Sequence, residues 1–188
     1  MGTFVLVTEI SDRYRRRAAE FTARVEAVPD DRWDDPTPCD AWVARDIVQH
    51  MVDVAARFSS VVGRELPPGP NVADDPLGAW LHASAAVQFA LDDPDFAQLE
   101  YEGRMGRGTF ETSVDRFLSP DLVVHAWDLA RATGGDERLD PGDVHEVYEA
   151  LKPLDEMMRQ PGGMGPKLEP PAGADEQAQL LAFLGRRV

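Results

Sequence analysis

Apolar residues recur three and four positions apart along most of the chain, and the breaks between those runs predict six helices. Tyr14, Ala18, Phe21 and Val25 predict a first helix over 10–27, with Ser11 or Asp12 as its cap. Val43, Ile47, His50, Val54, Phe58 and Val61 form a second stripe over 44–62, which stops at Gly63 and a Pro67-Pro68-Gly69-Pro70 stretch. A third helix opens on Asp75-Pro76 and carries Trp80, Ala83, Val87 and Leu91; the proline-rich link before it predicts a long crossover. The fourth, over 111–133, is apolar on nearly every side and ends at Gly134-Gly135, so it should be central and buried. Pro120 inside it predicts a kink or a fresh start just before Asp121. A fifth helix opens on Asp140-Pro141 and a last one covers 174–184, with a proline-glycine loop over 160–173 between them. Residues 96–110 predict a loop or small hairpin, and 29–42 a loop anchored by Trp33 and Trp42. The fold class is all-α, and a chain of 188 residues is expected to form a single domain over 1–188.

Three residues break the apolar pattern. His50 lies in the stripe of the second helix, and Asp121 and His125 lie in that of the fourth, which runs Val114, Leu118, Asp121, His125, Asp128, Ala132. Polar groups buried without partners are costly, so their convergence points to a bound cation. Asp121 and His125 leave one helix face a turn apart, and His50 would supply a third ligand from elsewhere. Three protein ligands with an open fourth position describe a catalytic zinc site. The structural alternative is a core histidine and a chance Asp-x-x-x-His pair. Asp128 competes with Asp121 as the carboxylate ligand, or orients a ligand imidazole from behind, and Asp53 has the same option toward His50. His82 and His145 are expected at the surface or rim, and Arg15, Arg16 and Arg17 on a solvated helix face.

Charge narrows the partners. A net charge of -15 repels phosphate backbones and anionic membranes, so nucleic acid and membrane are not expected partners. Cys39 is the only cysteine, which rules out an internal disulfide and a thiolate-rich zinc cluster and fits a reducing cytoplasm. It is expected to fill a half-buried structural position between proline and the two tryptophans. The apolar run at 4–7 is too short for a signal-peptide core, no stretch reaches membrane-spanning length, and the run is expected to form an N-terminal arm. Apolar positions on the first helix and the arm allow a homodimer. The scarcity of lysine beside abundant arginine, alanine, aspartate and proline fits a GC-rich, actinobacterial genome.

The blocks Thr37-Pro38-Cys39-Asp40-Ala41-Trp42, Arg45-Asp46-Ile47 with His50, and His125-Ala126-Trp127-Asp128-Leu129-Ala130-Arg131-Ala132-Thr133-Gly134 resemble the mycothiol-dependent maleylpyruvate isomerase N-terminal domain family. That family lies within the DinB-like superfamily of metal-binding four-helix bundles. The resemblance implies such a bundle with a long crossover and extra C-terminal helices. It also implies a divalent ion, commonly Zn2+, on His50, Asp121 and His125, and mycothiol as the thiol cosubstrate. Two departures matter: the acid here is aspartate where the isomerase has glutamate, and the isomerase carries a further C-terminal domain for which this chain has no room. Isomerisation of maleylpyruvate is therefore not expected. The expected activity is metal-dependent thiol transfer, or a related isomerase-like reaction, on a small electrophile, with Asp128 orienting an imidazole or accepting a proton. The alternatives are a metal-dependent hydrolase and a bundle that binds metal or ligand without turnover.

Overall fold

A computed structural model of the chain describes residues 8–103, 106–159 and 165–188. The arm at 4–7 and the start of the 160–173 loop lie outside the described residues. The helices are α1 (Glu9–Glu26), α2 (Ala44–Val61), α3 (Pro76–Asp92), the short α4 (Pro94–Ala97) and α5 (Phe110–Ser113), α6 (Ser119–Thr133), α7 (Pro141–Leu151), the short α8 (Asp155–Met158) and α9 (Glu176–Phe183). The chain is mostly helical. One departure from all-α is an antiparallel hairpin, β1 (Glu100–Gly103) with β2 (Gly106–Thr109), where Glu100 pairs with Thr109.

Helices α1, α3 and α7 begin where a side chain satisfies a free N–H group. The cap of α1 is Thr8, which accepts from the Ser11 amide, rather than Ser11 or Asp12; Ser11 itself is buried. Asp75 caps α3 and Asp140 caps α7, each followed by proline in the first turn. Gly134, at φ +74, ends α6 in the left-handed conformation that glycine adopts freely, and the Gly135 amide reaches back to the Ala130 carbonyl.

The expected break at Pro120 takes the form of a π-helical turn over Val114–Leu118. Proline at 120 lacks the N–H that a continuous α-helix would need, so the ladder is re-registered just before α6 starts. The Ser119 amide donates to Val114 O, five residues back. Asp121 then occupies the first turn of α6.

Helix α1 packs against α3 and α6, and α2 packs against the same pair. Because α2 and α3 are neighbours, the link over 62–75 is not the crossing one. The links that carry the chain between non-neighbouring helices are 27–43, from α1 to α2, and the segment between α3 and α6. Phe21 meets Trp80 edge-on at 4.9 Å, and the indole N–H of Trp80 donates to Thr22 Oγ1 at 2.8 Å. A second apolar cluster joins Val123 and Val124 of α6 to Val144 and Val147 of α7 and to Leu180 and Phe183 of α9. With one face on α1 and α2 and the other under α7 and α9, α6 needs apolar residues nearly all round, as its sequence shows. Tyr14, Ala18, Phe21 and Val25 of α1 are buried, and the exposed large apolar side chains include Leu81 and Phe89 of α3 and Val61 of α2. No helix among the described residues is long and apolar enough to cross a membrane.

Arg15 and Arg16 stand on the solvated face expected of them, and Arg17 departs from it. Arg17 is buried and donates to Asp143 at 2.8 Å, Glu146 at 2.8 Å and Ser119 at 3.1 Å, while Arg16 reaches the same Asp143 at 2.7 Å. Arg15 pairs with Asp12 and Asp92. Burial pushes the Asp143 carboxyl up, but the two guanidinium groups outweigh it and hold the carboxyl below its ordinary value. A group depressed in the folded state stabilises fully above its unfolded pKa, about 3.9, and that stabilisation is lost as pH falls through the folded value. Thermal melts should therefore show stability falling below about pH 4, and Asp143→Asn should be less stable at neutral pH yet less sensitive to acid. An acid profile unchanged by the substitution would contradict this.

Candidate metal centre

The loop over 36–43 folds into a tight return that presents Cys39 and Trp42 to α6. Pro36 bridges Val43, the Thr37 amide donates to the Trp42 carbonyl at 3.0 Å, and Thr37 Oγ1 accepts from the Cys39 amide at 3.1 Å. Ala41 takes φ +64, a left-handed conformation that disfavours any residue with a Cβ by about 1–2 kcal/mol. Such local strain is characteristic of functional loops.

On α6, Asp121, His125 and Asp128 lie along one face, and α2 brings His50 to it. His50 Nε2 lies 3.5 Å from Asp121 Oδ2, and the imidazoles of His50 and His125 meet edge-on at 5.0 Å. One ligand atom from each of His50, Asp121 and His125 falls within 4.8 Å of the others. Metal bonds of about 2.0–2.1 Å at tetrahedral angles place ligand atoms about 3.3–3.5 Å apart, so the donor set fits a divalent ion after small side-chain adjustments. Trp42 covers both rings, with centroid distances of 4.9 Å to His50 and 6.0 Å to His125.

The two sides of the cluster differ in burial, which sets its direction. The side chains of His50 and Asp121 are 27% and 37% exposed, whereas those of His125 and Asp128 are 8% and 0% exposed. Solvent and ligands therefore approach past His50 and Asp121. His50 stands at the edge of the buried stripe of α2 rather than in its middle, because Ile47, Val48, Met51, Val54 and Ala55 form the centre. Asp53 is exposed and accepts from Gln49, so it does not orient His50.

Asp128 faces His125 from behind, with Oδ2 3.0 Å from Nδ1. Burial lowers the pKa of His125, but hydrogen bonds to Asp128 and Cys39 and the charges of Asp121 and Asp128 together push it up to about 10. Burial raises that of Asp128, and its bonds to His125 and Arg186 bring it down to about 2. A carboxylate on Nδ1 leaves Nε2 as the nitrogen available to an ion, the arrangement that fixes tautomer and ring orientation in metal sites.

Two residues near the site escape sequence reasoning. Arg186, beyond α9, donates from Nη2 to Asp128 Oδ2 at 2.7 Å and from Nε to Oδ1 at 3.2 Å. Cys39 Sγ sits 3.4 Å from Asp128 Oδ2 and 3.5 Å from Arg186 Nη2. Arg186 lies in no local motif, and the block that holds Cys39 does not point to Asp128; only the folding of remote segments brings the three together. Cys39, His125 and Asp128 form a second geometrically possible ligand trio. A cation already stands on Asp128, however, and it would repel another placed there. The His50 trio has no such competitor, and Asp121 adds a negative charge to it. His82 turns away, toward the Pro67 carbonyl at 2.8 Å, and His145 is exposed beside Glu176.

The chain is 31% identical over 185 residues to an uncharacterized protein of Mycobacterium tuberculosis strain CDC 1551 / Oshkosh, covering 93% of this chain and 96% of the relative. The same values hold for an uncharacterized protein of strain ATCC 25618 / H37Rv. No solved structure gives a significant match. The family model described as mycothiol maleylpyruvate isomerase N-terminal domain matches residues 14–130, a span that holds Cys39, His50, Asp121, His125 and Asp128. The chain therefore belongs to the mycothiol maleylpyruvate isomerase N-terminal domain family, within the DinB-like superfamily.

Proposed function

We propose that this protein is a metal-dependent enzyme that transfers a low-molecular-weight thiol, with mycothiol as the natural cosubstrate, to a small electrophile. The observation that carries the proposal is the convergence of His50, Asp121 and His125 on a side open to solvent, with Asp128 behind His125. Family membership supports the metal and the thiol. The proposed scaffold is a DinB-like four-helix bundle of α1, α3, α2 and α6 with α7 and α9 as additions, all one domain, working in the cytoplasm.

In this reading His50, Asp121 and His125 hold a divalent ion, zinc by preference for two imidazoles and one carboxylate. Bound there, the ion would make a thiol acidic at neutral pH and so supply a nucleophile. The residues do the rest. Asp128 keeps the Nδ1 proton of His125 in place and fixes the plane of the ring. Trp42 walls off one flank of the two imidazoles and leaves the approach past His50 and Asp121 for substrate.

The test is turnover of an activated aryl halide by zinc-loaded protein, followed with and without mycothiol. Thiol-dependent product formation that a chelator abolishes is expected. Turnover of ester or amide substrates that ignores added thiol would replace the proposal with a hydrolase. No turnover at all would leave a metal-binding module without catalysis.

A further inference from the structure

We infer that Arg186 is a positioning residue of the metal centre, acting through Asp128 on His125; this rests on the metal-binding reading above. Arg186 is held at both ends. Its amide donates to the Leu181 carbonyl at 2.8 Å, its Nη1 donates to the Leu184 carbonyl at 3.0 Å, and Gly185 at φ +83 makes the turn that brings it there. A Cβ at Gly185 would stand 2.9 Å from the Pro166 carbonyl oxygen, so this turn requires glycine for space as well as for backbone conformation.

The guanidinium grips both oxygens of Asp128, which is fully buried, while His125 shares Oδ2. Without it the carboxylate would be held through Oδ2 alone, by His125 and Cys39, and free to pivot about that oxygen. The two-pronged contact fixes its plane, and with it the direction from which Nδ1 must approach. The ring of His125 is then locked with Nε2 free for an ion. The guanidinium also balances a buried negative charge. Lysine would supply the charge but grip one oxygen at a time. The segment after α9 thereby becomes part of the centre, although it shares no local sequence with the ligands.

The experiment titrates the full chain with Co2+, reading affinity and the visible absorption spectrum, for the parent, Arg186→Lys, Arg186→Met, Asp128→Asn and the Asp128→Asn/Arg186→Met double variant. Arg186→Met should bind about 10–100-fold more weakly and with an altered spectrum, and Arg186→Lys should fall between it and the parent. Because Arg186 acts through Asp128, the double variant should bind within about twofold of Asp128→Asn alone. Parental affinity and spectrum in Arg186→Met, even with a lowered melting temperature, would overturn the inference, as would losses that multiply in the double variant. If the methionine variant does not fold, the lysine variant decides: weaker binding supports the inference and parental binding overturns it. No binding by the parent chain would overturn the metal-site reading itself, and this inference with it.

Discussion

Replacing His125 by alanine is expected to reduce bound divalent metal from about one ion per chain to none at micromolar metal. The residue is shared by the two ligand trios that include α6, the third, His145 with Glu149 and Glu176, being exposed and remote, and it is the ligand whose orientation the fold controls most closely. His50 and Asp121 alone leave two ligands on a partly exposed surface, too few to hold the ion against water. His82→Ala and His145→Ala should retain the parental stoichiometry, since both histidines point elsewhere. Uptake should weaken in acid, because protons compete with the ion for imidazole and carboxylate donors. Elemental analysis after dialysis reads all of these directly. Full stoichiometry in His125→Ala would refute the site.

The largest expected effect on stability comes from Arg17→Met, which should destabilise the protein by about 3–5 kcal/mol. The side chain bridges α1 to Asp143 and Glu146 of α7 and to Ser119 at the start of α6. Its removal leaves the buried Asp143 with Arg16 as its remaining cationic partner, and Ser119 loses its arginine donor. By contrast Arg15→Met removes a largely solvated contact and should change stability by about 1 kcal/mol or less. Urea titrations at neutral pH compare the two. Equal effects would mean that the Arg17 network contributes no more than a surface ion pair.

These two predictions also mark what was legible in the chain. Helix boundaries, the Gly134 stop, the break near Pro120 and the burial of α6 follow from periodicity and backbone chemistry, which act within a few residues. The polar members of the α6 stripe were readable for the same reason: a helix face is a local property. The fate of Arg17 was not, because three adjacent arginines read alike until α7 folds against one of them. Neither was the exposure of His50, where a stripe drawn at ideal spacing misjudged the buried centre of α2. Arg186 and Cys39 lay furthest out of reach. Their contacts with Asp128 span 58 and 89 positions, and no pattern inside a helix encodes them.

Anomalous X-ray diffraction from crystals of the zinc-loaded protein tests the central claim most directly. The account predicts one zinc peak at bonding distance, about 2.0–2.2 Å, from His50, Asp121 and His125, with Asp128 on the far nitrogen of His125 and Arg186 on Asp128. A peak on Cys39 and Asp128, or no ordered zinc between α2 and α6, would contradict it.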